Sequence, residues 1–267
     1  MKTIALLTDL GLRDAYVGTM KGVIAGIAPD ARLIDITHQV PARDLREGAF
    51  SLFASFRYFP EGTIFCCVVD PGVGSSRRAL ALDIRSEGQG SYTLVGPDNG
   101  LFTGAIYGMD IPRAVSLENP KYQLPEVSST FHARDIFAPA AAHLATGVAL
   151  SELGPKVDPS TLAQLSWTEP REKEGGWEID PIHADQFGNL VTNLPLSFLK
   201  PDPSQWRVWL NQVEIGPVRR TFSDARVGRP LAYVGSSGLL ELAVRDGSAR
   251  DLLNVNPGSV ISVMQAR

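Results

Sequence analysis

Three short runs of β-forming residues, Thr3–Leu7, Arg32–Thr37 and Gly62–Asp70, alternate with two stretches of helical spacing within the first 70 residues. The helical stretches are Ala15–Ala28, which stops at Pro29, and Asp44–Phe59, whose Leu45, Ala49, Leu52, Phe53 and Phe56 form one apolar stripe before Pro60-Glu61-Gly62 ends it. Parallel strands need a crossover long enough to carry a helix, so this alternation predicts an α/β N-terminal domain with a largely parallel sheet. Ala79–Ile84 and Tyr92–Val95 read as a further strand pair, and Phe137–Thr146 as an Ala-rich helix ending at Gly147.

The pattern changes after residue 151. The polar run Glu169–Gly176 has no sustained apolar period and reads as a linker. Short alternating runs then dominate: Trp177–Ala184, Leu190–Asn193, Trp206–Leu210, Leu231–Val234, Leu239–Val244 and Ser259–Met264. Gly, Pro and Asn punctuate them and no long helix intervenes, which predicts a smaller all-β, barrel-like domain. The expected boundaries are 1–165 for the α/β domain, 166–176 for the linker and 177–267 for the β domain.

Of the 267 residues 44% are hydrophobic and 20% charged, enough apolar material for two cores and too little charge for a disordered chain. Gly and Pro supply 44 residues without a repeat, which points to many shaped turns. Residues 1–170 carry 14 basic and 18 acidic groups, and residues 171–267 carry 11 of each. Neither part has the positive excess on which nucleic-acid binding rests, so no nucleic-acid partner is expected. The only cysteines, Cys66 and Cys67, are neighbours whose side chains point to opposite faces of a strand, so no disulfide framework is expected. No apolar run approaches the ~20 residues of a membrane span, and the N-terminal run is too short for a signal peptide. The expectation is a cytoplasmic protein with no membrane partner.

Polar residues stand at the strand ends. In open α/β sheets ligands bind beyond the carboxyl ends of the strands, where Asp9 and Asp70 fall. Asp9 and Asp14 flank a glycine in Thr8-Asp9-Leu10-Gly11-Leu12-Arg13-Asp14; they suit vicinal hydroxyls or an amine, and equally a helix cap and a solvated charge. In Asp70-Pro71-Gly72-Val73-Gly74-Ser75-Ser76-Arg77 the dinucleotide fingerprint fails, because Arg77 takes the third glycine position and Pro71 blocks an orderly helix entry. His132 directly precedes the Ala-rich helix. His38, His132, His143 and His183 lack metal-ligand spacing, so no metal is expected. In the second domain, Asp185-Gln186-Phe187-Gly188-Asn189 reads either as a plain turn or as an aromatic and polar contact for a flat base. Ser236-Ser237-Gly238 is a second polar turn.

Together these blocks resemble the S-adenosyl-L-methionine (SAM) hydroxide adenosyltransferases, hydrolases related to the enzymes that make 5′-halo-5′-deoxyadenosines. The matching blocks are Thr8-Asp9-Leu10-Gly11 with Asp14, Asp35-Ile36-Thr37-His38, Asp70-Pro71-Gly72-Val73-Gly74 with Arg77, Gly96-Pro97-Asp98-Asn99-Gly100, Phe131-His132-Ala133-Arg134-Asp135, Asp185 through Asn193, and Ser236-Ser237-Gly238 with Leu240-Glu241. They run in the family's order across nearly the whole chain. The resemblance implies conversion of SAM and water to adenosine and L-methionine, without a cofactor. It also implies a homotrimer whose active sites lie at subunit interfaces. By carry-over Asp70, Arg77 and His132 match the triad that holds and activates water. Asp14 matches a carboxylate on the ribose hydroxyls, with Asp9 beside it; Asp185 and Ser236 match contacts to the methionine part. Phe187, Asn189 and the stretch at Ala249 match the adenine pocket, and Ser237 and Glu241 complete the substrate-binding set. The alternatives are a halide-using 5′-halo-5′-deoxyadenosine synthase and a non-catalytic SAM or adenosine sensor; the Asp–Arg–His set sides with the hydrolases.

Overall fold

The computed structural model describes residues 2–86, 88, 90–166, 169–256 and 259–266. The chain divides into two compact units, residues 1–166 and 167–267.

The first unit begins with the expected alternation: β1 (Thr3–Thr8), α1 (Tyr16–Ile27), β2 (Arg32–Thr37), α2 (Leu45–Ser55) and β3 (Ile64–Val68). It continues through β4 (Ala79–Ser86), β5 (Gly90–Pro97), α3 (Thr103–Ile106), β6 (Asp110–Ser116) and α4 (Ala138–Ala145). The sheet order is β2-β1-β3-β5-β4-β6. The β1–β2, β1–β3 and β3–β5 pairings are parallel, whereas β4–β5 and β4–β6 are antiparallel. The sheet is therefore mixed, which corrects the expectation of a largely parallel one. The cause is the connection between β4 and β5, too short for a crossover helix, which turns the chain straight back on itself. Strand β6 carries Asp110 and Pro112, a pattern that hides it in the sequence; as the edge strand it tolerates a residue that cannot donate to a ladder.

Period-2 alternation sends neighbouring strand residues to opposite faces of this sheet. Ile4, Leu6 and Cys66 pack with Met20 and Ile24 of α1 and Ala141 of α4. Ala5, Leu7, Phe65 and Cys67 pack on the other face with Leu52 of α2 and with Phe56. Both thiols are buried, and burial pushes that of Cys66 up to about 12. Asp44 caps α2 by accepting the Glu47 N–H at 3.0 Å. The helix ends at Ser55 instead of reaching Phe59, because the Ser55 hydroxyl bonds back to the Ser51 and Leu52 carbonyls and Phe56–Tyr58 tighten into a 3₁₀ turn. That turn sets the Phe56 ring edge-on to Phe65 and Tyr92.

The second unit is β-rich: β7 (Arg171–Lys173), β8 (Gly176–Ile179), β9 (Pro181–Ala184), β10 (Leu190–Pro195), β11 (Trp206–Leu210), β12 (Val213–Arg219), β13 (Pro230–Val234), β14 (Leu239–Val244) and β15 (Ile261–Gln265), with a five-residue helix α5 (Ala249–Leu253). The sheet order is β7-β8-β15-β11-β12-β13-β14-β10-β9. The chain passes from β8, near one end of this sheet, to β9 at the other end through the single residue Asp180. The sheet must therefore curl until its ends adjoin, and Asp180 fastens them: its carbonyl accepts the Asn193 N–H and its own N–H donates to Asn193 Oδ1, both at 3.0 Å. The segment read as a linker, 166–176, instead contains β7, paired antiparallel with β8. Its side chains are all charged and exposed, as an edge strand permits, so no apolar period marks it. Trp167 and Thr168 of that segment lie outside the described residues.

Phe65 is fully buried and meets Phe56, Phe59 and Tyr92 edge to face. Phe65→Ala is expected to lower unfolding stability by about 3–5 kcal/mol. Denaturant titration should show this as a lower midpoint with an unchanged slope.

Candidate active site

Three of the predicted residues converge in the first unit. Asp70 lies two residues beyond β3, whose exit is fixed by Asn99, donating from Nδ2 to the Val69 carbonyl at 2.8 Å. A tight turn, with Val73 N–H on the Asp70 carbonyl and Ser75 N–H on that of Gly72, reverses the chain so that Arg77 faces Asp70. Arg77 Nε donates to Asp70 Oδ1 at 2.9 Å and Nη2 to Oδ2 at 2.5 Å. The same Nη2 lies 2.8 Å from His132 Nδ1. Asp70 and Arg77 are only 7% and 10% exposed, and the guanidinium also faces the Phe137 ring at 5.3 Å. Gly74 has φ +77°, and a Cβ there would collide with the Ser129 carbonyl oxygen, so this turn and the loop before His132 interlock.

The geometry fixes the tautomer of His132. A guanidinium has only donors, so Nδ1 must present its lone pair, and in the neutral ring the proton resides on Nε2. Burial, then the Arg77 charge, hold the imidazole below its ordinary value of 6.5, against the opposing pull of Asp70 and Asp135. The triad is thus an Asp–Arg ion pair beside a neutral imidazole that offers an N–H.

The loop behind His132 depends on Asp135, which was not singled out for the site although its block was. Asp135 is fully buried; it accepts Arg134 Nε at 2.5 Å, Arg134 Nη2 at 3.0 Å and the Ser128 N–H at 2.8 Å. Its carbonyl accepts the Leu124 N–H. Residues Ala133–Phe137 wind as a π turn directly after His132, so the helix expected from Phe137 in fact continues a wider turn begun four residues earlier. The signal available in the sequence was an acid three residues after the histidine.

Asp9 and Asp14 stand apart from the triad in bonding. Asp9, half-buried past the end of β1, accepts the Arg43 N–H at 2.8 Å, and Arg43 is held at φ +68°. Asp14 is exposed in the turn before α1 and has no hydrogen bond or ion pair among the described residues. Beneath them Thr8 Oγ1 meets His38 Nδ1 at 2.9 Å, and His38 Nε2 lies 3.1 Å from Asp35, which pairs with Lys21.

The second unit gathers the remaining candidates on its turns. Asp185 closes the β9–β10 turn: Oδ1 accepts the N–H groups of Phe187 (2.9 Å) and Asn189 (2.8 Å), and Oδ2 accepts Asn189 Nδ2 (2.8 Å). Phe187 at the tip is 69% exposed, while Asn189 is buried. Gly188, at φ +80°, packs against Ser248, and its carbonyl accepts the Arg250 N–H, which brings this turn to Ala249 at the start of α5. Ser236 and Ser237 occupy the β13–β14 turn, where the buried Ser237 hydroxyl has no hydrogen-bond partner among the described residues. Glu241 on β14 lies under that turn, against Gly235, and accepts the Tyr233 hydroxyl. Burial, reinforced by the Asp185 charge, holds the Glu241 carboxyl above the usual range. Among the described residues no group of three or more His, Cys, Asp or Glu side chains is placed to hold a metal ion, and no helix is long and apolar enough to cross a membrane.

Models of the SAM hydroxide adenosyltransferase N-terminal and C-terminal domains match residues 4–154 and 181–262. An (R)-S-adenosyl-L-methionine hydrolase of Thermus thermophilus is 42% identical over 99% of this chain and all of its own length. A fluorinase of Actinoplanes sp. is 30% identical over 98% of this chain and 97% of its own. Among solved structures, an uncharacterized conserved protein from Thermotoga maritima superposes with a TM-score of 0.88 at 34% identity, covering 98% of this chain and all of that one.

Because Asp135 pulls the His132 value up while burial and Arg77 push it down, the imidazole should protonate only below pH 6.5, and Asp135→Asn should lower the midpoint further. Titration of the His132 ring resonances by NMR checks both; a midpoint at or above 6.5 in the parent protein contradicts the assigned environment.

Proposed function

The chain belongs to the SAM hydroxide adenosyltransferase family, and from that premise we propose that it hydrolyses (R)-S-adenosyl-L-methionine to adenosine and L-methionine. The observation that carries the reading is the single guanidinium of Arg77, bonded at once to Asp70 and to His132. The sulfonium of SAM is already a good leaving group, so methionine departs without a general acid. The demanding requirement is a nucleophilic oxygen held in line with ribose C5′.

In this mechanism the water oxygen bonds to C5′ as the C5′–S bond breaks. The electron pair of that bond returns to sulfur, which leaves as the neutral thioether of methionine. The water sheds one proton, and Asp70 is its acceptor, because His132 Nδ1 is already committed to Arg77. The Nε2–H of His132 orients the oxygen, and Arg77 offsets the negative charge that gathers on it. No cofactor or metal enters this scheme. Asp14 is assigned to the ribose hydroxyls, with Asp9 shaping the same loop. Asp185, Ser236, Ser237 and Glu241 are assigned to the methionine part, and Phe187, Asn189 and the backbone at Ala249 to adenine. The neutral, buried thiols of Cys66 and Cys67 suit a reducing, cytoplasmic setting. The assembly proposed is a homotrimer in which each active site is completed by a neighbouring copy.

Incubation with each sulfonium epimer of SAM in ¹⁸O-water should yield adenosine carrying the label at its 5′ oxygen, faster from the (R) epimer. Label in methionine, or a 5′-halogenated nucleoside when chloride or fluoride is supplied, refutes the assignment. Asp70→Ala should reduce kcat by about 10²–10⁴-fold while SAM binding stays measurable by calorimetry. For the assembly, Asp70→Ala and Asn189→Ala chains, each nearly inactive alone, should regain activity when unfolded together and refolded as a mixture. Absence of recovery removes the shared-site proposal.

A further inference from the structure

Residues 215–231 hold four arginines and one acid, in a chain whose net charge is −4. Three of these arginines, Arg219, Arg226 and Arg229, line a cleft of about 360 Å³ together with Ile215 and Leu231. None of the three guanidinium groups has a hydrogen bond or ion pair among the described residues. The acid in the cleft, Asp224, is committed elsewhere: its Oδ2 accepts the N–H groups of Arg220 and Thr221, closing a capping box on the turn Phe222–Asp224. The cleft therefore sets three cations against one carboxylate, a net positive charge in which Asp224 offsets only part of the total.

The frame that presents these cations is braced. Arg245 Nη1 donates to the carbonyls of Ser223 at 3.2 Å and Ala225 at 2.8 Å. The backbone of Arg245 also accepts from Gly228 and donates to Arg229. Phe222 packs on Tyr233 with ring centroids 4.7 Å apart. Like charges gathered on a fixed frame repel one another, and a multivalent anion relieves that repulsion at little further ordering cost. A guanidinium presents a planar fork that matches the spacing of two phosphoryl oxygens, and three forks around one cleft match a chain of phosphoryl groups better than a single carboxylate.

We propose that this cleft is a binding site for a condensed phosphate, a di- or triphosphate group. It is independent of the hydrolase reading and uses none of the residues assigned to SAM. Inorganic tripolyphosphate is the probe, titrated calorimetrically into the full-length protein at low salt. One saturable site per chain is expected, weakened by about tenfold or more in an Arg226→Gln/Arg229→Gln variant that hydrolyses SAM at the parent rate. In the unaltered protein, tripolyphosphate should also shield Arg219, Arg226 and Arg229 from phenylglyoxal, read by peptide mass spectrometry. No saturable binding, equal affinity in the glutamine variant, or unshielded arginines would each overturn the proposal.

Discussion

One buried guanidinium serving two acceptors sets the terms for the first unit. An ion pair withdrawn from water is stable only when its remaining donors and lone pairs are also satisfied. Asp70 must therefore arrive at the right height above the sheet, which Asn99 secures by holding the last residue before it. Arg77 must double back within seven residues, which the glycine turn allows. His132 must come from more than fifty residues away with its ring turned to accept, which the Asp135-centred loop provides. The interlock between Gly74 and Ser129 joins these two segments, so a shift in either disturbs the whole set.

The sequence made some of this architecture legible and hid the rest, for physical reasons. Strands β1 to β3 and helices α1 and α2 announce themselves because each buries one face and so repeats with its own period. Strands β6 and β7 do not, because edge strands tolerate Pro112 or a run of charges that would be excluded from the sheet centre. The mixed sheet is hidden because nothing in the runs Ala79–Ile84 and Tyr92–Val95 states their direction; only the brevity of their connection does. Asp70, Arg77 and His132 were recognised as a set through their blocks, yet sequence alone does not state that Arg77 bonds both others, and so did not fix the imidazole tautomer. Asp135 carries only a faint signal, its place three residues after His132, since an acid next to an arginine on a helix ordinarily reads as a solvated pair.

The two units present their polar side chains in different ways. In the first, the site's charged groups Asp70 and Arg77 are buried and matched to one another. In the second, carboxylates organise turns: Asp185 spends its oxygens on Phe187 and Asn189, and Glu241 supports the turn that holds Ser236 and Ser237. The Ser237 hydroxyl and the Trp206 Nε1–H depart from this pattern, polar atoms withdrawn from water with no hydrogen-bond partner among the described residues.

The way Asp180 joins the two ends of the second sheet bears on how copies of this chain can associate. Curled as it is, the sheet still ends in two strands that are each paired on one side only among the described residues. One is β7, whose Arg171, Glu172 and Lys173 are all exposed and charged; the other is β9, which opens with Pro181 and so lacks a donor at its first position. Charge and proline are the usual guards against a foreign strand adding to an open ladder. Self-association of this unit by extension of its sheet is thereby discouraged, and crowded copies in a cell are protected from the edge-to-edge stacking that seeds β-aggregates.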